Sequence, residues 1–275
     1  MGGTWDYLAE TIYPLAAKYK VSFVTPSNPA ELISEEGKKS PYVMTTGLTL
    51  KAEKDAISSF IKSKKITSVA LLYPDLPWGL SHAKMMKDLC KELKVKVLLD
   101  KSFPYEGYLD AVKVLAQQIA KKEPSLVYMP IDARGLDAAG KVFEERKFFP
   151  VILTSQHLHT AISLAPIDSS RYAKSFGVYP KLSDSTFPER FESESGVHWW
   201  PYAGSGYDAV MTIYNLNLAK GRSKDKKGEF SLSKDFEYKG ISGQYSLPMS
   251  GKSLGVAKNT AQIVQFRDYQ MIAVK

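Results

Sequence analysis

The chain has 275 residues, 44% hydrophobic and 24% charged, an ordinary globular composition with no apolar run long enough to span a membrane. Its net charge of +8 is spread over lysines such as Lys51, Lys54, Lys62, Lys84, Lys87 and Lys91, with no aromatic-interleaved basic patch, which argues against nucleic acid as a partner. The single cysteine, Cys90, excludes an internal disulfide.

The first residues, Met1-Gly2-Gly3-Thr4-Trp5-Asp6, lack the basic and apolar regions of a signal peptide. The expectation is either a cytoplasmic protein or a chain that starts downstream of its true beginning. A helical pattern over 4–18 leads to Val21-Ser22-Phe23-Val24, a short strand closed by Thr25-Pro26-Ser27-Asn28-Pro29. That closing run reads as turn chemistry, and equally as hydroxyls and an amide placed where a polar ligand docks. After a polar loop over 31–39, Pro41-Tyr42-Val43-Met44-Thr45-Thr46-Gly47 reads as a second strand. Leu50, Ala56, Ile57, Phe60 and Ile61 follow near a 3.6 period, with Thr49 as cap and Glu53 near capping-box spacing.

Residues 66–73 form the clearest buried strand, ended by the turn Pro74-Asp75-Leu76-Pro77-Trp78-Gly79. A helix over 81–93 carries Cys90 among Met85, Met86, Leu89 and Leu93, the setting of a buried inert thiol. Strand and helix then alternate: strand 95–99, helix 109–120, strand 126–129, helix 136–146 and strand 151–154, the last running into Ser155-Gln156-His157. This alternation predicts a parallel sheet with crossover helices, whose ligands sit beyond the carboxyl ends of the strands. Further on, 176–180 reads as a strand and 187–192 as polar and aromatic. A helix opens at Gly206-Tyr207-Asp208-Ala209 and stops at Gly221. Gly240-Ile241-Ser242-Gly243 reads as a tight turn, and 262–266 with 269–274 as a hairpin.

The order of these pieces resembles the type I periplasmic ligand-binding fold, and more closely the solute-binding proteins of branched-chain amino acid and amide ABC transporters. Four stretches carry the resemblance: Gly2-Gly3-Thr4 through Ser27; Pro41 onward to Thr46; Val69-Ala70-Leu71-Leu72-Tyr73 to Trp78-Gly79; and Tyr207-Asp208-Ala209-Val210 with Gly240-Ile241-Ser242-Gly243. The resemblance implies an α/β chain of two doubly wound parallel-sheet lobes joined by crossing strands. It places 1–47 and 181–240 in the first lobe, and 48–180 and 241–275 in the second. Family members open with further strand–helix units and a secretion signal, so the first lobe is expected to lack its opening units. The implied function is binding of a small polar solute (amino acid, amide or small carboxylic acid) in the cleft between the lobes. Delivery to the membrane permease of an ABC transporter follows, in the periplasm or outside the cell, with a lipid anchor compatible. The alternative is a ligand-sensing regulatory domain of the same fold.

The resemblance places ligand contacts at Thr4, Thr25, Ser27 and Asn28 in the first lobe, and at Trp78, Asp132 and Gln156 in the second. An acidic residue often receives the ligand ammonium near the position of Gln156, so the neutral amide admits amides and carboxylates beside amino acids. Asp132 or Asp75 could supply the missing charge. Trp78 equally fits a packed turn residue, Asp132 a helix N-cap, and Arg134 a solvated side chain.

No enzyme is expected. His157 and His159 lack further ligands for zinc, so no metal site is expected, and no cofactor motif is found. Gly204-Ser205-Gly206 lacks the spacing of a nucleophile elbow.

Overall fold

The computed structural model describes residues 6–26, 43–155, 158, 162, 170–172, 174–197, 199–218, 223–224, 230–231, 235–247, 256–267 and 270–274. The chain divides into two compact units, Met1–Ala52 with Pro180–Thr260, and Glu53–Tyr179 with Ala261–Lys275. Residues 48–52, 180 and 241–260, placed with the second lobe from sequence, group here with the first unit.

In the first unit, helix α1 (Asp6–Tyr19) precedes strand β1 (Phe23–Thr25), which pairs in parallel with β2 (Val43–Thr45) in the register Phe23↔Val43 and Thr25↔Thr45. Strand residues alternate between faces. Phe23 and Val43 therefore pack on Tyr13 and Ala16 of α1, with the Tyr13 and Phe23 rings 5.7 Å apart edge to face. Val24 and Met44 point the other way, into a cluster with Ala209, Leu216, Phe236, Tyr245 and Leu247. Both faces of this parallel pair are thus covered, the requirement for a parallel sheet.

The rest of the first unit returns from Pro180. Helices α6 (Phe187–Ser195) and α7 (Pro201–Leu218) precede the strand pair β8 (Ser223–Lys224) and β9 (Phe230–Ser231). A three-stranded antiparallel sheet follows, β10 (Phe236–Lys239), β11 (Gln244–Leu247) and β12 (Val256–Lys258). Helix α7 starts at Pro201, five residues before the expected Gly206, because proline suits the first helical turn. The glycine–serine run 204–206 lies inside that helix.

The second unit holds a seven-stranded sheet in the order β14-β13-β7-β6-β5-β3-β4. Its parallel strands are β3 (Ser68–Pro74), β4 (Lys96–Phe103), β5 (Leu126–Met129), β6 (Val151–Thr154) and β7 (Ser175–Pro180). The expected hairpin is present as β13 (Ala261–Arg267) and β14 (Gln270–Ala273). Register explains the layering. Ala70, Val127 and Ile152 lie side by side, and they pack with Val112, Ala116 and Ile119 of α4 (Tyr108–Lys122) and Leu136, Ala139 and Phe143 of α5 (Ala133–Glu145). One residue on, Leu71, Tyr128, Leu153 and Phe176 form a row on the opposite face. There Phe176 meets Phe60 of α2 (Leu50–Ser63) at 4.8 Å between ring centroids. Helix α3 (Pro77–Leu93) joins β3 to β4.

Cys90 on α3 is buried, and burial pushes its thiol up to about 11, so it stays protonated and inert at neutral pH. Among the described residues no helix is long and apolar enough to cross a membrane.

Candidate functional site

In the second unit the carboxyl ends of β3, β5 and β6 carry the polar groups. Strand β3 ends at Pro74, and α3 begins three residues later. The sequence places Trp78 in a turn; instead it occupies the first turn of α3. Pro77 opens that helix, since its missing N–H has no partner at a helix start anyway. The Trp78 ring packs on His82 one turn later, with centroids 4.8 Å apart. Nδ1 of His82 lies 2.8 Å from the Trp78 carbonyl and donates to it. His82 Nε2 then faces Glu53 Oε2 at 3.3 Å, and both side chains are buried. The helix turn beneath Trp78 is therefore fixed from below by a histidine held against a carboxylate of α2. Trp78 itself is half-buried, leaving part of its surface open.

Strand β5 runs into Ile131 and Asp132. Asp132 is the N-cap of α5, its carboxylate accepting from Gly135 N–H at 2.8 Å. The same carboxylate accepts from the Tyr108 hydroxyl at 2.6 and 2.8 Å. Burial, then the Asp132 hydrogen bond, raises the Tyr108 phenol far above its ordinary range, so it remains a donor. Asp132 is thus both the helix cap and a half-buried polar group at a strand end. Arg134 beside it is exposed. At the end of β6 the Thr154 hydroxyl donates to Met129 O at 2.6 Å, and Ser155 follows, buried.

In the first unit, Thr25 ends β1 and is fully buried, with its carbonyl accepting from Thr46 N–H at 2.9 Å. Thr46, past the end of β2, donates its hydroxyl to Ser205 O of α7 at 2.8 Å. Thr45 Oγ1 accepts from Gly47 N–H. Strand-end threonines therefore tie β1, β2 and α7 together. Thr4, Ser27, Asn28 and Gln156 lie outside the described residues, as do His157 and His159. Among the described residues no three His, Cys, Asp or Glu side chains converge as a metal would require.

Sequence reasoning gave no site role to Thr46, His82 or Tyr108. Thr46 shared the signal that marked Thr25, a hydroxyl at a strand end. His82 lies four residues after Trp78, a helical spacing that becomes visible only once the helix is known to start at Pro77.

The model of the family described as periplasmic binding protein matches residues 1–227. The chain belongs to the periplasmic binding protein family. No curated protein matches the sequence. Among solved structures, an extracellular ligand-binding receptor from Rhodopseudomonas palustris HaA2 is similar with a TM-score of 0.76 at 14% identity, covering 98% of this chain and 79% of its own. A solute binding protein of an ABC transporter from Rhodopseudomonas palustris BisB5, in complex with 3,4-dihydroxybenzoic acid, gives 0.74 at 17%, covering 97% and 74%. A leucine binding protein from Thermotoga maritima gives 0.73 at 15%, covering 96% and 75%. At these identities the likeness is one of fold, the type I periplasmic binding fold. The family and these neighbours are binding proteins.

Proposed function

We propose that this periplasmic binding protein takes up a small polar solute and hands it to the membrane permease of an ABC transporter, acting in the periplasm or outside the cell. Its two compact units serve as the two lobes of the family. The observation that supports this most is the placement of Trp78 and Asp132 beyond the carboxyl ends of β3 and β5, where open parallel sheets bind ligands. Trp78 supplies a flat apolar wall on a rigid helix start, and Asp132 with Tyr108 a fixed polar group. Thr4, Ser27 and Asn28 would contribute hydroxyls and an amide from the first lobe, with the fully buried Thr25 holding the end of β1 rather than touching solute, and Gln156 a neutral amide from the second.

The solute class is an amino acid, an amide or a small carboxylic acid. Structural neighbours in complex with leucine and with benzoate or hydroxybenzoates give the panel its members. Calorimetric titration of the purified chain with amino acids, small amides and hydroxybenzoates tests the reading. One class should bind, and Trp78→Ala should weaken that binding about tenfold or more, the loss of roughly 1.4 kcal/mol of contact. Binding that is unchanged in Trp78→Ala would remove Trp78 from the site.

A further inference from the structure

A concave surface lies wholly within the first unit. It is a groove of about 370 Å³, bordered by residues 181–183, the turn 239–244 and residues 258–260. Hydrogen bonds tie its bordering segments together. Lys181 N–H donates to Thr260 O at 2.8 Å, Ser183 N–H to Ile241 O at 2.8 Å, and the Ser183 hydroxyl to Gly240 O at 3.1 Å.

Its charge is one-sided. Among the described residues Lys181, Lys239 and Lys258 line it and no carboxylate does; the Asp208 carboxylate lies behind the turn, held by Ile241 and Ser242 N–H. Among the described residues none of these three ammonium groups makes an ion pair. Strand register sets two of them. Lys239 pairs with Gln244 across β10–β11, and Gln244 pairs with Lys258 across β11–β12. Directly paired residues share a face, so Lys239, Gln244 and Lys258 form one row, the outer two about 10 Å apart. Lysine stems are long and flexible enough for both ammonium groups to meet over the Gln244 amide. Glu237 lies on the same strand face two residues before Lys239, about 7 Å along the strand, and does not line the groove.

Unpaired like charges around a concavity raise the local potential and concentrate anions. The groove has the volume of a small-molecule site rather than of a protein interface. We propose that it binds a small polyanion bearing phosphate or carboxylate groups. The lysines supply charge-assisted hydrogen bonds, with Gln244 and the Thr260 hydroxyl as neutral partners.

The test uses the whole chain with pyrophosphate and citrate as probes, each against sodium chloride at matched ionic strength. The melting temperature should rise saturably with a probe and not with the chloride control. Backbone amide NMR shifts should move at residues 239–244 and 258–260. In Lys239→Gln/Lys258→Gln the apparent affinity should fall about tenfold or more, as when charge-assisted hydrogen bonds are lost. The control Lys84→Gln/Lys91→Gln, elsewhere on the surface, should keep wild-type affinity. Pyrophosphate binding without citrate binding would restrict the site to phosphate; the converse would restrict it to carboxylates. No response beyond the chloride control overturns the proposal. So does an equal response in both double variants, or amide shifts that map away from the groove.

Discussion

The carboxylate of Asp208 accepts a hydrogen bond from the Tyr245 hydroxyl at 2.8 Å, joining the middle of α7 to the start of β11. The same carboxylate accepts from Ile241 N–H at 2.7 Å and Ser242 N–H at 2.6 Å, so it organises the whole turn between β10 and β11. Gly240 is required there, because a Cβ would collide with the Asp208 carboxylate. Two sequence stretches that look unrelated, Tyr207-Asp208-Ala209 and Gly240-Ile241-Ser242-Gly243, are thus one buried unit.

Replacing Asp208 by alanine leaves three buried donors without their acceptor. Each such donor costs about 1–3 kcal/mol, so Asp208→Ala should lose about 3 kcal/mol or more in urea unfolding. Tyr245→Phe removes one donor and should cost about 1 kcal/mol. An Asp208→Ala variant no less stable than Tyr245→Phe would contradict this arrangement.

The same carboxylate has a pH signature. Burial raises its pKa above the ordinary 3.8, and the hydrogen bonds from Ile241, Ser242 and Tyr245 pull it back only in part. The folded state therefore holds the proton more tightly than the unfolded state. The resulting stability is fully present below the ordinary value and is lost as pH rises through the raised folded value. Wild type should lose stability relative to Asp208→Asn across that window, and the difference should be flat above it. Melting temperatures of both proteins across the acid range check the sign.

Asp132 offers a separation of cap from site. As N-cap of α5 and acceptor for the Tyr108 hydroxyl, Asp132→Ala should cost about 2 kcal/mol of stability. Asp132→Asn and Asp132→Ser retain capping ability and should recover about 1 kcal/mol of that loss. If Asp132 also touches solute, those same capped variants will still bind solute more weakly. Stability and affinity measured side by side distinguish the two roles.

Alkaline titration reads the β3–β4 edge. The Tyr73 hydroxyl donates to Asp100 at 2.8 Å, and Lys87 holds the other carboxylate oxygen at 2.9 Å. Burial first, and then Asp100, push Tyr73 up to about 12. Asp100→Asn should lower that value without restoring it fully, because the burial cause remains. Ultraviolet titration of tyrosinate in both proteins, with a Tyr73→Phe control, measures it.

The parallel core was legible because its strands are short continuous aliphatic runs. Ala70-Leu71-Leu72 is buried on both faces, and only helices on both sides allow that. The parts that escaped have weaker signals. Helix α6 is rich in Glu and Ser and buries only Phe187, so no apolar period announces it. Strands β10 and β11 flank a turn that was recognised, but each is only four residues long. The start of α3 was hidden because Pro77 reads as a breaker, although proline is at home in a first turn. At the candidate site, Trp78 and Asp132 were named from the family resemblance, and they lie past the ends of β3 and β5. Their supports, His82 and Tyr108, depend on packing between elements that no local pattern encodes.

The most direct test of solute binding is a thermal-shift screen of the whole chain, with circular dichroism to establish cooperative folding. The panel is amino acids, small amides and small aromatic and aliphatic carboxylic acids. A solute at about 100 times its dissociation constant adds roughly 2.7 kcal/mol of stability. At about 2–4 °C per kcal/mol for a chain near this size, the melting temperature should rise by roughly 5–10 °C. Such a shift is expected for one chemical class, reduced in Trp78→Ala. A cooperatively folded chain that no member of the panel shifts would contradict it.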